Sequence, residues 1–377
     1  MSARLNQKKI RVLFLFAHFH KGGMQRAVSN ISLALPSDFE QYIGYFGTEN
    51  PPFEYRAKQH NFNVPGSTEI GIFKKIFNYI SRIAKLRKYT KDNNIDVVVS
   101  FGEAANSINF LSFNSSRKIL CIRSAIGGHG GLRLQSWFLK YLYPLADKVV
   151  VVSKDLLSQA NTLSENRIDA VCIPNLYHIN KISSFADERL SSQYSYLEKS
   201  KFILSVGSLV LPKGQDILIR AFSEIHAQYS DYLLIIIGRG PEKDNYIKLA
   251  KDLGIRDRLL IIDFESNPYK YMKWATLFVL PSLTEGFPNV LVEAMASGCP
   301  VIAFDCPTGP REILENSVYG MLLEDFSEIT LANAFRRLLD SPEILAHLRN
   351  QALIRASDFS SDKVVKKWTY ILNGGLK

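Results

Sequence analysis

The chain has little of what would tie it to a disulfide framework, a metal site or a membrane span. Only four cysteines, Cys121, Cys172, Cys299 and Cys306, occur in 377 residues. Their spacing fits neither a disulfide framework nor a zinc site, and most lie in or beside apolar runs, so buried thiols in a reducing compartment are expected. No apolar stretch approaches the roughly 20 residues of a spanning helix. The opening segment MSARLNQKK carries no apolar signal core, which makes a cytoplasmic chain, soluble or peripheral on a membrane, the expectation. There is no low-complexity tract, no short-period repeat and no recognised nucleic-acid motif. Hydrophobic residues at 46% and charged residues at 22% are ordinary globular values and argue against extended disorder.

What is present is length and an uneven charge. A chain of 377 residues exceeds one comfortable core and predicts two domains. Residues 1–190 hold 25 Lys and Arg against 14 Asp and Glu, an excess of 11, whereas the remainder is balanced to within one charge. The basic half either faces an anion or is simply solvated.

Short β-rich apolar runs alternate with helical patterns, the signature of parallel sheets covered by helices. Strands are expected at IRVLFLFA, QYIGYF, DVVVSF, KILCIR, KVVVVS and AVCIP in the first half. In the second they are expected near Lys201, Tyr232, Leu259, Thr276 and Pro300. Residues 175–200 are polar and Ser-rich and read as a linker. The fold class expected is α/β, two Rossmann-like doubly wound domains facing a cleft, with ligands at the carboxyl ends of the strands. The N-terminal, acceptor-binding domain is placed at 1–180 and the nucleotide-sugar-binding domain at 195–357, with a C-terminal helix at 358–377 crossing back to the first domain.

The most informative segment is SLTEGFPNVLVEAMASGCPVIA, residues 282–303. It follows an apolar strand, makes a Gly/Pro turn and starts a helix, so free backbone N–H groups and a partial positive charge face an incoming anion. Glu285 and Glu293 flank the turn. At about 1.5 Å rise per residue they lie on the order of 10 Å apart, beyond the roughly 5–5.5 Å of a retaining hydrolase pair. They read as two grips on one extended ligand, each accepting from hydroxyl groups.

This segment resembles the hallmark of family 4 of the retaining glycosyltransferases, which adopt the two-domain GT-B fold. VGSLVLPKGQDILIRAF (206–222), IIIGRGPEKDNY (235–246), ESNPYKYMKWATLFVLPS (265–282) and DCPTGPREIL (305–314) match the same pattern. Matches are thinner at KGGMQRAVSNIS (21–32), SFGEAAN (100–106) and VVVSKDL (150–156). The resemblance implies that Glu285 contacts the donor sugar and that Gly286, Phe287 and Pro288 shape a turn whose amides, with those near Asn289 and Val290, approach sugar and phosphate. It implies that Glu293 holds ribose hydroxyls and that Lys213, a mobile point charge, neutralises the β-phosphate. Glu285 and Lys213 are the expected catalytic pair.

Two departures stand out. Most relatives carry Arg where this chain has Ser208, leaving Arg239 or Arg123 as substitutes. Asp263 stands where a glycine is common in the nucleotide-side loop.

In the first half, the turn at Lys21, Gly22 and Gly23 follows a strand and lets backbone approach a ligand, resembling the family's donor-phosphate glycine loop. His18, His20, Glu103, Asn106 and Arg123 end predicted strands on the cleft side and are candidates to position the acceptor. No metal is expected, because no DxD-type carboxylate pair follows a strand. No cofactor is expected beyond a nucleotide-sugar co-substrate, with uridine diphosphate as the implied carrier. The implied reaction is transfer of a hexose or N-acetylhexosamine with retention to a glycan or polyprenyl-linked glycan.

Residues 70–91 place Phe73, Ile76, Phe77, Ile80 and Ile83 on one helical stripe, with Lys74, Lys75, Arg82, Lys85 and Lys88 around it. This pattern suits an anionic membrane surface, here the cytoplasmic face of the inner membrane, and equally suits a helix covering its own sheet; the excess of 11 positive charges in this half, with the lipid-linked acceptors that the resemblance implies, favours the membrane. Two other readings compete: a GT-B-like nucleotide-sugar epimerase, and a non-enzymatic basic nucleic-acid binder, whose ligand the paired glutamates would repel.

Overall fold

Aliphatic runs buried on both faces form two all-parallel sheets in the computed structural model, which describes residues 9–18, 23–47, 53–64, 71–123, 126 and 132–375. The chain divides into two compact units. One comprises 1–176 with 361–377, and the other comprises 177–360.

The first unit holds seven strands, β1 (Ile10–Phe16), β2 (Phe39–Tyr45), β3 (Lys58–Asn61), β4 (Val97–Phe101), β5 (Arg117–Ile122), β6 (Lys148–Val151) and β7 (Ala170–Cys172), in the spatial order β3-β2-β1-β4-β5-β6-β7. Period-two alternation sends Phe14, Phe16, Val97, Val99 and Phe101 into one core layer and Leu13, Leu15 and Val98 into the other. The first layer is completed by the helices Gly23–Ala34 and Ser361–Leu372, the latter contributing the fully buried Trp368. Arg117 fastens this last helix by donating to the carbonyls of Ile371 at 2.9 Å and Leu372 at 3.0 Å.

The second unit holds β8 (Lys201–Val206), β9 (Tyr232–Ile237), β10 (Leu259–Ile262), β11 (Leu277–Leu280), β12 (Val301–Phe304) and β13 (Met321–Leu323), in the order β10-β9-β8-β11-β12-β13. The order reverses between β8 and β11, so the loops leaving their carboxyl ends diverge and open a crevice there, the usual ligand position of such sheets.

Two strands depart from the sequence reading. β3 is KQHN, a polar edge strand with no apolar run to announce it, and β13 is the three-residue edge strand MLL. The expected linker is also corrected. Residues Ile179–Ala186 form a helix and Ser192–Lys199 a 3-10 helix, with Ile182, Ala186 and Leu197 buried. This stretch therefore packs into the second unit. Among the described residues no helix is long and apolar enough to cross a membrane.

Candidate active site

The crevice of the second unit is built from the loops after β8, β11 and β12. Lys213 ends a short 3-10 turn, Leu211–Lys213, which stops at Gly214 in the left-handed region with φ +65°. A Cβ at Gly214 would lie 2.0 Å from the Pro281 carbonyl, so only glycine lets the β8 loop press onto the β11 loop. Leu283 N–H donates to the Pro212 carbonyl at 2.9 Å and joins the same two loops.

This contact brings Lys213 to Glu285. The ammonium donates to the carboxylate at 2.6 Å, with the side chains 30% and 11% exposed. The carboxylate is thus largely enclosed while the ammonium keeps an open side. The main chain of Glu285 is fixed from the third loop, where the Thr308 hydroxyl donates to its carbonyl. Thr308 and Gly309 both adopt positive φ, +67° and +104°. A Cβ at Gly309 would meet Pro288 Cδ at 2.6 Å. Thr308 carries strain that a β-branched residue pays only where its surroundings hold it.

The turn continues through Gly286 into buried Phe287 and Pro288, with the Phe287 ring edge-on to Phe359 at 5.7 Å. The helix Asn289–Ala296 follows, with Pro288 at its N-cap making no side-chain cap hydrogen bond and its carbonyl accepting from Leu291 N–H at 3.1 Å. Asn289 and Val290 sit half-buried at this start, and Asn289 Oδ1 accepts from the Tyr177 hydroxyl at 2.6 Å. Glu293 lies one turn further along, 4% exposed, and accepts from the Tyr269 hydroxyl at 3.4 Å.

Ser208 is exposed after β8, and its carbonyl accepts from Gln215 Nε2 at 3.2 Å. The neighbouring β9 loop runs alongside. Leu209 N–H donates to the Arg239 carbonyl at 2.9 Å, and a Cβ at Gly238 or Gly240 would strike the carbonyl of Gly207 at 1.8 Å or of Leu209 at 2.1 Å. Arg239 is exposed there, its guanidinium 5.9 Å from the Phe264 ring centroid. Asp263, after β10, pairs with Lys243 at 2.7 Å, and that hydrogen bond holds its carboxyl below the ordinary value. Cys306 is buried beside Lys213 and Glu285; burial, with the Glu285 charge adding to it, pushes its thiol up to about 12.

Lys213 thus meets Glu285 directly, Gly286, Phe287, Pro288, Asn289, Val290 and Glu293 continue the same turn and helix, and Ser208 and Arg239 stand on adjoining loops. The sequence reading assigned no role to Gly214, Tyr269, Thr308 or Gly309. A proline-threonine-glycine run after a strand was the available signal for the last two.

In the first unit, Gly23 opens the helix after β1, while His20, Lys21 and Gly22 lie outside the described residues. His18 follows β1, and its carbonyl accepts from Gln25 Nε2 at 3.3 Å. Glu103 starts the helix Glu103–Leu111 after β4, the strand beside β1, and accepts from the Gln135 amide. Asn106 does not face a ligand. It is 1% exposed, its amide donates to the Cys121 carbonyl at 3.0 Å and to the Tyr143 hydroxyl at 2.9 Å, and its oxygen accepts from Ser100 at 2.7 Å. Both ends of its amide are thus spent inside the core, which removes it from the acceptor set. Arg123 donates to Asn175 Oδ1 at 2.5 Å and lies near the Phe101 and Trp368 rings, 5.3 and 5.8 Å from their centroids. Its guanidinium is thereby held within the first unit's aromatic core.

Known proteins match both units. Residues 21–179 match the family described as Glycosyltransferase Family 4, and residues 187–355 match Glycosyl transferases group 1. An uncharacterized glycosyltransferase of Methanocaldococcus jannaschii is 28% identical over 346 residues, 79% of this chain and 84% of that protein. The N-acetylgalactosamine-N,N'-diacetylbacillosaminyl-diphospho-undecaprenol 4-alpha-N-acetylgalactosaminyltransferase of Campylobacter jejuni is 31% identical over 236 residues, 62% of each chain. Among solved structures, Anabaena HepE in complex with UDP shares the fold at a TM-score of 0.79 and 18% identity, covering 97% of this chain and all of that one.

Proposed function

Because the chain belongs to glycosyltransferase family 4, with the GT-B fold, we propose that it moves a hexose or N-acetylhexosamine from a uridine diphosphate sugar to a glycan or polyprenyl-linked glycan, with retention and without a metal. The observation that carries this reading is the meeting of Lys213 and Glu285 at the switch point of the second sheet, beside the start of the helix Asn289–Ala296. A cation and an enclosed carboxylate are what a sugar diphosphate requires, the first for its phosphates and the second for its hydroxyls, and the positive end of a helix adds to the cation.

In this reading Lys213 and the positive end of the helix Asn289–Ala296 take up the charge that develops on the leaving diphosphate as the C1–O bond breaks. The acceptor hydroxyl adds to C1 on the same face, and its proton passes to a β-phosphate oxygen. Glu285 orients the sugar, Glu293 holds the ribose hydroxyls, and Arg239 supplies the second phosphate cation that Ser208 cannot. His18 and Glu103 meet the acceptor. Uridine diphosphate as carrier is supported by the UDP complex of the Anabaena neighbour, and a polyprenyl-linked acceptor by the name of the Campylobacter relative.

The test incubates the purified chain, with chelator, against a panel of nucleotide sugars and a polyprenyl-diphosphate saccharide. Product is expected with one uridine diphosphate sugar, and NMR is expected to give the same anomeric configuration in donor and product. Inverted product overturns retention, dependence on a divalent cation overturns the metal-free step, and a sugar altered on its nucleotide but never transferred overturns transfer itself.

A further inference from the structure

The helix Ile72–Asp92 is held on one side and in its later turns. Arg82, Leu86 and Thr90 are buried, and Leu86 packs with Leu13, Leu15, Phe46, Phe62 and Val98, joined by half-buried Tyr79, Ile83 and Tyr89. Arg82 Nε donates to the Val64 carbonyl at 3.0 Å with its guanidinium over the Phe46 ring, and Lys85 Nζ donates to the Phe62 carbonyl at 2.8 Å. The stripe expected from sequence is redrawn accordingly. Ile83 belongs to the core side, and Arg82 and Lys85 are turned onto main-chain carbonyls.

The early turns are the reverse. Ile72, Phe73, Ile76, Phe77 and Ile80 are all exposed, Phe73 at 86% and Phe77 at 70%. At 3.6 residues per turn these five fall within an arc of about 140°. Single exposed apolar residues are ordinary, but a contiguous stripe of this size marks a contact surface. The charged side chains bordering it on the same helix are cations. Lys74 lies beside it, and Arg87 and Lys88, exposed, continue the same side one to two turns on. Asp92, the last residue, is the helix's one acidic residue, against seven Lys and Arg.

We infer that this face docks on an anionic phospholipid surface, with Phe73, Ile76, Phe77 and Ile80 entering the acyl boundary and Lys74, Arg87 and Lys88 at the phosphates. Charge selects this occupant. An apolar face whose charged neighbours on its own helix are Lys74, Arg87 and Lys88, in a half-chain with an excess of 11 positive charges, fits a layer of negative headgroups better than a second copy bearing the same cations. Placement adds a use. The helix returns the chain from β3 to the parallel strand β4, so it runs against the strands and its first turns lie at their carboxyl ends. His18 and Glu103 follow strands at that same end. Docking would hold them at the lipid surface from which a polyprenyl-linked acceptor is taken, a consequence that rests on the proposed transferase reading, whereas the docking itself does not.

The test sediments the full chain with vesicles of phosphatidylcholine alone and of equimolar phosphatidylcholine and phosphatidylglycerol. The expected partition onto the anionic vesicles exceeds that onto the neutral ones by about tenfold, and falls by a similar factor in a Phe73→Ser, Phe77→Ser variant and in an Arg87→Glu, Lys88→Glu variant. All four side chains are exposed, so unchanged circular dichroism melting shows that the variants are folded. Equal partition onto both vesicle types overturns the inference, as does a serine variant that binds like the wild type. A wild-type dimer that the serine variant dissolves, without vesicle binding, also overturns it and assigns the face to a second copy. A chain that binds anionic vesicles yet transfers no sugar leaves docking standing and removes only the transferase reading.

Discussion

Lys213 donates to the Glu285 carboxylate at 2.6 Å although 72 positions separate them in sequence. Each charge is the other's counterion, and a sugar diphosphate must part them, its phosphate taking the ammonium and its hydroxyls the carboxylate. Glu285→Gln is therefore expected to bind UDP at least as tightly as the wild type, while kcat falls about 10²- to 10³-fold. Lys213→Ala is expected to lose both UDP affinity and turnover. Calorimetry with UDP and steady-state kinetics check the pair, and parallel loss of UDP affinity in Glu285→Gln would contradict the exchange.

Arg239 stands on the loop that flanks Ser208. If its guanidinium replaces the missing arginine at 208, Arg239→Ala raises the donor KM by about tenfold, the scale of one charged hydrogen bond. Adding Ser208→Arg to that variant is expected to restore it. A double variant no better than Arg239→Ala removes the substitution argument.

Gly214 joins two loops by lacking a side chain. With φ at +65° and the Pro281 carbonyl 2.0 Å from where a Cβ would stand, Gly214→Ala is expected to cost about 1–3 kcal/mol, lower Tm by several degrees and weaken donor binding. Gly71→Ala is the matched control, because nothing lies within 4 Å of its Cβ position and its φ is −58°. Thermal melts of both variants decide it, and equal Tm values would contradict the close approach.

Burial pushes the thiols of Cys121, Cys299 and Cys306 up to about 12, from an ordinary value of 9.0. Folding thus favours the neutral thiols. The stability they lend is complete below pH 9 and is lost as pH rises towards 12. At pH 8 a thiol reagent is expected to titrate at most Cys172, which is only half-buried, and all four after denaturation. Rapid native labelling of Cys306 would contradict its enclosure.

The parts of this molecule legible in its sequence are those where one local signal suffices. Continuous aliphatic runs announced β1, β4, β8, β9 and β11, because strands buried on both faces need no alternation. The turn and helix around Glu285 were legible because motif, turn chemistry and apolar stripe agree within about twenty residues. What escaped depends on distant partners. KQHN forms a strand only because β2 offers an edge, and Asn106 is a core residue only because Ser100, Cys121 and Tyr143 surround it. On the helix Ile72–Asp92, periodicity gave the stripe but not which side of it the sheet claims, since Arg82 is apolar in neither composition nor pattern and is nonetheless buried.

The helix Ser361–Leu372 completes the core of a unit whose other residues end at Leu176. During synthesis that unit must therefore wait, unsealed at the place Trp368 will occupy, while the 184 residues from Tyr177 to Ser360 emerge and can close around their own sheet. The second unit can mature co-translationally, but the first closes only after the helix Ser361–Leu372 has emerged, and synthesis halted before that helix would leave the earlier-made half of the protein the less finished one.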